Sequence, residues 1–591
     1  MCGICGVYNF KKDRQVSEEV LNNMNRLLLH RGPDDNGIHL EQFVGFGHTR
    51  LSIVDLSNGK QPMCNEDKTI WVTYNGEIYN YREIKRDLMG KGHKFITDCD
   101  TEVIVHSYEE YGTECVYRFN GMFSFAVWDA KKETLFLARD RMGVKPLYYS
   151  ISGGTFVFAS EIKAILEHPE VKKRVEVGSL PEYLFCTTML GANTMFKDIY
   201  SVPAGNILIF NNNQKHMYTY WDIGLENASK DPLSFEEYKE EISSMLQEST
   251  RMRMISDVPL GSLLSGGLDS SLISALASGY SKERLKTFSM EYSKNAQLSK
   301  QNSDLEYSRM LADILKTDHK EFIFQPEDYY GILEKVTWHV EKPIELTTPS
   351  VYLLYGKLKR YVTVVLSGEG ADELFGGYFF FLNGCSGNTL TEFPWAPYFK
   401  DVCMLLDPGV EKETRFREKI SSVLHDSMSK FESNDYLNRV LYLFLKYYLL
   451  EMLERQDKTS MAWGVEARVP FLDYRLVDYV SSIPYKFKVK GDIEKFILKE
   501  VSKAFLPIEI VQRKKKPFPF PIDPKSIQTQ KNTANELIQS GNSKISQYFD
   551  KKTTNDFFNK RNGFKNIDNL CIFRTSHALI ALELWHKVFG V

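Results

Sequence analysis

Between residues 258 and 277 the chain passes from an apolar strand through a glycine–serine turn into an apolar helix. No other stretch limits the fold as much. Val258-Pro259-Leu260-Gly261-Ser262-Leu263-Leu264 ends as a short strand, Ser265-Gly266-Gly267-Leu268-Asp269-Ser270-Ser271 turns, and Leu272-Ile273-Ser274-Ala275-Leu276-Ala277 opens a helix. That order aims backbone N–H groups at an anion. Gly266 and Gly267 lack Cβ, so the backbone can approach a phosphate closely. Ser265, Ser270 and Ser271 add hydroxyl donors. Asp269 is repelled by phosphate unless a cation lies between them, which makes it a candidate Mg²⁺ ligand. The lysine of the Gly-x-x-x-x-Gly-Lys-Ser/Thr loop is missing, so the turn is expected to hold a pyrophosphate leaving group while an α-phosphate reacts. The plainer alternative is a serine-rich helix start with an acid in its first turn, favoured by the helix dipole alone.

The same residues resemble the pyrophosphate loop of the ATP-pyrophosphatase family, whose members adenylylate a carboxylate or carbonyl. Composition narrows the rest. At 591 residues the chain is too long for one core, so two large domains are expected. Lys+Arg 74 against Asp+Glu 77 leaves a net charge of −3, which gives no support to nucleic-acid binding. The apolar run Val440 to Leu453 is broken by Lys446 and Glu451 and is no membrane span. Met1-Cys2-Gly3 has no basic head or apolar core, so no secretory signal is expected. Nine scattered cysteines fit the reduced thiols of a cytoplasmic protein better than a disulfide frame. The oligomeric state is left open, a homodimer included.

The amino-terminal half opens Met1-Cys2-Gly3-Ile4-Cys5-Gly6-Val7-Tyr8. Methionine before a small residue is usually removed, which gives Cys2 a free α-amine to act as base for its own thiol. Cys2 and Cys5 also have the spacing of a redox or zinc pair, without a second pair to complete four ligands. A small buried cysteine heading an apolar strand is the bland alternative. Further segments follow in order: His30-Arg31-Gly32-Pro33-Asp34, a turn after the helical segment Val16 to Leu29; Gly47 to Asp55, a strand carrying Arg50; and Val72 to Asn80, a strand ending in Asn75-Gly76. By itself Asn-Gly reads as a hairpin turn, and Asp100 reads as a helix N-cap. Phe119 to Asp129 and Leu137 to Tyr148 are further strand-and-turn segments, and Asn211 to Lys215 is a hairpin tip.

Together with Cys2 these segments resemble the class II glutamine amidotransferase domain along nearly its whole length. The resemblance implies a four-layer α/β/β/α sandwich of two antiparallel sheets with an N-terminal nucleophile, spanning residues 1–215. It implies that Cys2 attacks glutamine, that Asn75 and Gly76 form the oxyanion hole, and that Arg50 clamps the α-carboxylate. Glu77 and Asp100 would take the α-ammonium, with Leu51, Ile53 and Val54 also lining the glutamine site. Asp222 to Ser234 is the expected linker.

Beyond it, Phe235 to Arg253 reads as an amphipathic helix. Leu285 to Met290, Lys320 to Phe324 and Tyr361 to Leu366 read as strands that alternate with helices, which argues a doubly wound parallel sheet with its ligand at the strands' carboxyl ends. The last of these strands runs into Ser367-Gly368-Glu369-Gly370-Ala371-Asp372-Glu373, a glycine- and acid-rich stretch suited to a metal–nucleotide site. An acidic first turn of a helix is the alternative. Arg455 to Asp473 resembles the asparagine synthetase signature, and Glu494-Lys495-Phe496-Ile497-Leu498-Lys499 follows in the family's order.

Through this second resemblance, covering residues 1 to about 522, the 235–591 segment is expected to be an ATP-pyrophosphatase-type α/β domain with added helices. Its implied substrates are ATP and aspartate, with Mg²⁺. Leu264, Ser265, Gly266, Gly267, Asp269, Ser270, Met290, Ser367 and Gly368 would bind the nucleotide, and Asp269 and Asp372 the metal. Glu369 would be the base and Lys495 would neutralise the α-phosphate. Ammonia would travel from Cys2 through an internal tunnel. Two stretches depart from the pattern of some asparagine synthetases: Glu345 to Ser350 lacks an arginine, and Arg513 to Pro521 replaces a Ser-Asp-Gly-rich loop. The second version occurs in a broader branch that amidates other carboxylates, so the acceptor stays open between aspartate and another carboxylate. A glutaminase or regulatory protein with one dead site, and a sulfur- or tRNA-modifying pyrophosphatase, are the competing classes.

Overall fold

A computed structural model describes residues 2–211, 214–224, 233–293, 304–378, 400–429, 436–514 and 518–591. Most of the expected linker and much of the 383–435 segment lie outside the described residues. Up to Thr219 the strands are β1 (Gly3–Asn9), β2 (Asp35–Leu40), β3 (Val44–Arg50), β4 (Met63–Cys64), β5 (Ile70–Ile78), β6 (Gly121–Asp129), β7 (Thr134–Arg139), β8 (Tyr148–Ser152), β9 (Thr155–Ala159), β10 (Ile199–Ser201), β11 (Asn206–Asn211) and β12 (Gln214–Thr219). They form two antiparallel sheets, ordered β10-β8-β9-β1-β3-β2 and β12-β11-β7-β6-β5-β4. β11 and β12 pair as the expected hairpin, with Asn211 opposite Gln214.

The four layers follow from the two-residue period of β1. Ile4 and Tyr8 pack with Phe46, Trp128, Leu137 and Phe210 in the core between the sheets. Cys5 and Val7 point the other way, toward Leu21, Met24 and Leu28 of the outer helical layer. Trp128 is buried among Tyr8 and Phe43, with ring centroids 5.9 and 5.6 Å away. The outer helix Glu18–Arg26 starts where the Ser17 hydroxyl accepts from the Val20 N–H and ends on Arg26, a capped and dipole-matched segment. Asn75 and Gly76 do not turn. They lie inside β5, opposite Ser124 and Phe123 of β6. Gly76 is needed for close approach, since a Cβ there would lie 2.2 Å from the Met122 carbonyl oxygen.

The second half begins with the helix Phe235–Met252, closed by a Ser234–Glu237 capping box. Its strands are β13 (Leu260–Leu263), β14 (Lys286–Tyr292), β15 (Asp318–Phe324), β16 (Val364–Leu366) and β17 (Glu466–Arg468), all parallel, in the order β15-β14-β13-β16-β17. β13 starts later than its apolar run because Pro259 has no N–H to give the ladder. Its carbonyl instead accepts from the Thr363 and Val364 N–H groups. Strand order reverses direction between β13 and β16, which opens a crevice at their carboxyl ends. The last helix, Asn569–Phe589, packs back on this half. Trp585 Nε1 donates to the Glu341 carbonyl at 3.0 Å, and His577 Nε2 lies 3.0 Å from the Ile344 carbonyl. Among the described residues no helix is long and apolar enough to cross a membrane.

Trp128→Ala should cost about 3–5 kcal/mol, because it empties the inter-sheet core without a way for the sheets to close. A fall in the first thermal unfolding transition, read by calorimetry, checks this. An unchanged midpoint would mean that the sandwich core lies elsewhere.

Candidate active site

β1 begins beside the carboxyl end of β3 and against β5, so Cys2, Arg50 and Asn75 meet at one end of the sandwich. The Cys2 N–H donates to Asn75 Oδ1 at 3.0 Å. That bond fixes the amide and turns Nδ2 the other way, where it is buried without a hydrogen-bond partner among the described residues. A buried donor left open in a native structure calls for a reason. Here it sits next to Cys2. Burial raises the Cys2 thiol above the usual cysteine range, against the lowering effects of the Leu51 backbone N–H and the Arg50 guanidinium. The resting side chain is therefore a thiol. No disulfide joins the described cysteines.

Arg50 donates to the carbonyls of Leu56 at 3.1 Å, Asp55 at 2.6 Å and Val54 at 3.4 Å, which curls the 51–56 loop around it. Leu51, Ile53 and Val54 are buried in that loop. Asp100 is the first residue of its helix, after Cys99 at the cap, so the N-cap alternative does not hold. Its Oδ2 accepts from the Tyr74 hydroxyl at 2.7 Å and the Ile78 N–H at 3.0 Å. Glu77 shares a face of β5 with Asn75, but its Oε1 lies 3.4 Å from Arg468 Nη2 of β17. Burial and Glu466 push its carboxyl well up, and Arg468 opposes them.

In the second half the loops after β13 and β16 face each other across a cleft of about 220 Å³. They touch: a Cβ on Gly368 would lie 2.8 Å from Ser270 N and 2.9 Å from the Asp269 carbonyl carbon. Gly266 has φ +74°, and a side chain there would also meet Ser308 N at 2.8 Å, so only glycine fits the turn. Ser265 and Ser270 hydroxyls lie 2.9 Å apart, on the loop that reaches the helix Leu268–Tyr280. Met290, Ser367, Gly368 and Glu369 line the cleft, while the Leu264 side chain is packed in the core and Leu263 takes the wall position.

Lys495 comes from a residue with φ +51°, a left-handed conformation that a lysine rarely adopts. Its Nζ lies 2.7 Å from Asp269 Oδ2 and 2.6 Å from Asp372 Oδ1. Burial works against the charge, but the two aspartates outweigh it and hold the ammonium above the usual lysine range. The pair requires Gly377, whose added Cβ would lie 1.9 Å from Asp372 Oδ1. Asp269 and Asp372, two carboxylates held about the Lys495 ammonium, are oxygen ligands of the type that could hold Mg²⁺.

Several site residues carried no role in the sequence. Arg455 Nη2 lies 3.7 Å from Glu369 Oε2, and its Nη1 donates to Thr347 Oγ1 at 2.5 Å. Gln456 Oε1 accepts from the Ser367 hydroxyl at 3.2 Å. Their signal was the polar run Glu454 to Ser460, most of it buried, in a helix that opens apolar. Of the departing stretch, Phe518 and Pro519 reach the cleft and Arg513 pairs with Asp304 at its rim; residues 515–517 lie outside the described residues. A further cluster, His93, His106 and Glu109, is held together by its own hydrogen bonds, His106 Nδ1 lying 2.8 Å from Glu109 Oε2.

An antiparallel sandwich with a cysteine at its first strand is followed by a doubly wound parallel sheet with a serine–glycine loop at its switch point, the architecture of an amidotransferase domain joined to a synthetase domain. Residues 1–221 match the family described as Glutamine amidotransferase domain, and residues 241–587 match the family described as Asparagine synthase. The chain belongs to the asparagine synthase family. It is 35% identical to asparagine synthetase (glutamine-hydrolyzing) 3 of Bacillus subtilis, over 88% of this chain and 87% of that one. It is 30% identical to asparagine synthetase (glutamine-hydrolyzing) 1 of the same organism, over 100% and 97%. With asparagine synthetase B (glutamine-hydrolyzing) of Escherichia coli the identity is 32%, over 91% and 85%.

Asn75→Ala should lower kcat for glutamate release from glutamine by about 100–1000-fold, the usual loss of one oxyanion donor. Steady-state kinetics check this, and a variant within threefold of wild type would remove Asn75 from the site. Glu373 gives a pH test. Burial, then Asp372 and Glu369, push its carboxyl up to about 8. Between the unfolded value of 4.5 and about 8 the folded protein keeps a proton that the unfolded chain has lost. Its stabilising effect is therefore complete below 4.5 and declines as pH rises toward 8. Glu373→Gln is neutral throughout, so its unfolding midpoint should fall less than that of wild type between about pH 6 and about pH 8.

Proposed function

We propose that the protein makes asparagine from aspartate, with glutamine as nitrogen donor and ATP as the source of activation, the amino-terminal 1–215 segment hydrolysing glutamine and the 235–591 segment forming the amide. The observation that carries this reading is Lys495 clamped between Asp269 and Asp372 at the mouth of the Ser265–Ser270 loop, in the same chain as Cys2 and its open Asn75 amide.

Glutamine binds with its α-carboxylate on Arg50 and its α-ammonium toward Asp100 and Glu77. The Cys2 thiol gives its proton to the α-amine freed when Met1 is removed, and sulfur attacks the side-chain carbonyl carbon. Asn75 Nδ2 and the Gly76 N–H hold the oxyanion. Ammonia leaves, and water cleaves the thioester to glutamate. In the cleft, an oxygen of the aspartate β-carboxylate attacks the ATP α-phosphorus. Lys495 offsets the charge that builds there, and pyrophosphate leaves into the Ser265–Ser270 loop. Asp269 and Asp372 would hold Mg²⁺, which when bound neutralises pyrophosphate charge. Ammonia then attacks the acyl carbon of the aspartyl adenylate, Glu369 takes its proton, and AMP departs. Ammonia would pass between the halves, where a small gap is walled by Met122, Met142, Val144, Val469 and Leu472 and also by the charged Asp140, Arg141 and Arg253. The chemistry suits the reduced, ATP-rich cytoplasm.

A second reading keeps the machinery and changes the acceptor. It rests on Phe518 and Pro519, which put an apolar wall on the cleft. One experiment separates the two. With ATP, Mg²⁺, glutamine and aspartate, wild type should yield asparagine, AMP, pyrophosphate and glutamate in equal amounts. Cys2→Ala should yield asparagine only with added ammonium. Glutamate without AMP would retire aspartate as the acceptor and send the search to bulkier carboxylates.

A further inference from the structure

The helix Leu449–Met461 carries Arg455, Gln456 and Asp457 in succession, and about 100° per residue sends them three ways. Arg455 reaches Glu369 and Gln456 reaches Ser367, both on the loop after β16. Asp457 points into the other half of the chain, where its Oδ2 accepts from Arg31 Nη2 at 2.8 Å. Lys145 Nζ lies 3.3 Å from its other oxygen. Arg31 is fully buried, and its three nitrogens are all committed. Nη1 donates to Glu161 Oε1 at 2.9 Å, and Nε donates to the main-chain carbonyl of Cys2 at 3.1 Å. The backbone of the nucleophile is thus tied through one guanidinium to a carboxylate on the nucleotide-side helix.

The tie has chemical weight because of where it acts. The Cys2 N–H is already fixed on Asn75 Oδ1, so the Cys2 carbonyl is the other point that sets the orientation of the residue. Together the two bonds decide where the thiol stands relative to the Asn75 amide. Attack on an amide carbon tolerates little error, and a displacement of about 1 Å costs on the order of 100-fold in rate. Glu161 alone is a poor substitute for Asp457, because it also binds His30 and Lys163. Arg31 without Asp457 keeps a single anion, Glu161, on one side only, and loses one of the bonds that hold its plane against Cys2.

We propose that Asp457 is a positioning residue for glutamine hydrolysis at Cys2, acting from the nucleotide-binding half through Arg31. It touches neither glutamine nor the reacting atoms. The inference rests on the glutamine-hydrolysing role of Cys2 proposed above.

The test uses the full chain and two assays on each preparation: glutamate release from glutamine, and ATP-dependent asparagine formation from ammonium. Asp457→Asn should lower kcat for glutamate release by about tenfold or more while KM for glutamine stays within about twofold, because orientation and not binding is lost. Ammonium-dependent synthesis should stay within about threefold, since the variant leaves the groups on ATP and aspartate in place. Asp457→Glu, which restores the charge, should recover part of the lost kcat. Three results would overturn the proposal: wild-type kcat for glutamate release in Asp457→Asn, a parallel fall of both assays, or no recovery in Asp457→Glu. Absence of glutamate release in wild type would instead defeat the reading of Cys2, and the inference with it.

Discussion

Arg31 has no access to water, so its charge must be answered inside the protein. Leaving such a charge without a partner costs about 3–5 kcal/mol. It is answered from both halves at once, by Glu161 and by Asp457. The same holds for its surroundings. Glu341 accepts from the Ile162 and Lys163 N–H groups at 2.9 and 2.6 Å and pairs with Lys458 at 2.8 Å. Lys342 bridges Glu451 and Glu454. A layer of buried ions has one low-energy arrangement, because a sideways slip would leave several charges unmatched in a low dielectric. An apolar interface of the same area would tolerate such a slip. The layer therefore sets how the sandwich meets the parallel sheet, and with it the line from Cys2 to the cleft.

Within each half, geometry at the site is set by glycine and by strand order. The cleft exists because β13 and β16 are neighbours whose connections leave in opposite directions. The loops after them can meet only where Gly368 allows contact with Asp269 and Ser270. Gly377 does the same for the Lys495–Asp372 pair. In the sandwich, Gly76 lets β5 and β6 close at the point where Asn75 turns its amide to Cys2. The residues of the cleft thus lie at strand ends, Asn75 and Gly76 lie within β5, and the supporting core is carried by residues such as Trp128 and Phe156.

Much of this was legible in the chain itself. The loop Ser265 to Ser271, the acid-rich Ser367 to Glu373 and the head at Cys2 show their chemistry because it is local: backbone donors, hydroxyls and a thiol within a few residues. The alternating strands and helices of the second half pointed to its parallel sheet. Local rules failed where a neighbour overrode them. Asn75-Gly76 has the composition of a hairpin turn, yet β6 pairs with it and keeps it extended. Asp100 has the place of a cap, yet Tyr74 and Ile78 draw its carboxylate inward. Leu264, set at the nucleotide by the family resemblance, packs in the core, and Leu263 lines the cleft.

By itself, the sequence determined which chemical groups are present and in what order: a cysteine behind Met1, an Asn-Gly pair, a serine–glycine loop, and acids and a lysine downstream. Those belong to short segments whose geometry follows from residue type. Only the tertiary structure decided which distant charges meet. Arg31 and Asp457 are 426 positions apart, and Lys495 and Asp269 are 226 apart. Glu77 and Arg468 lie on strands of different sheets. Nothing in one segment encodes such a pairing. It is fixed by the burial of charge, which pays off only when both partners arrive at the same place.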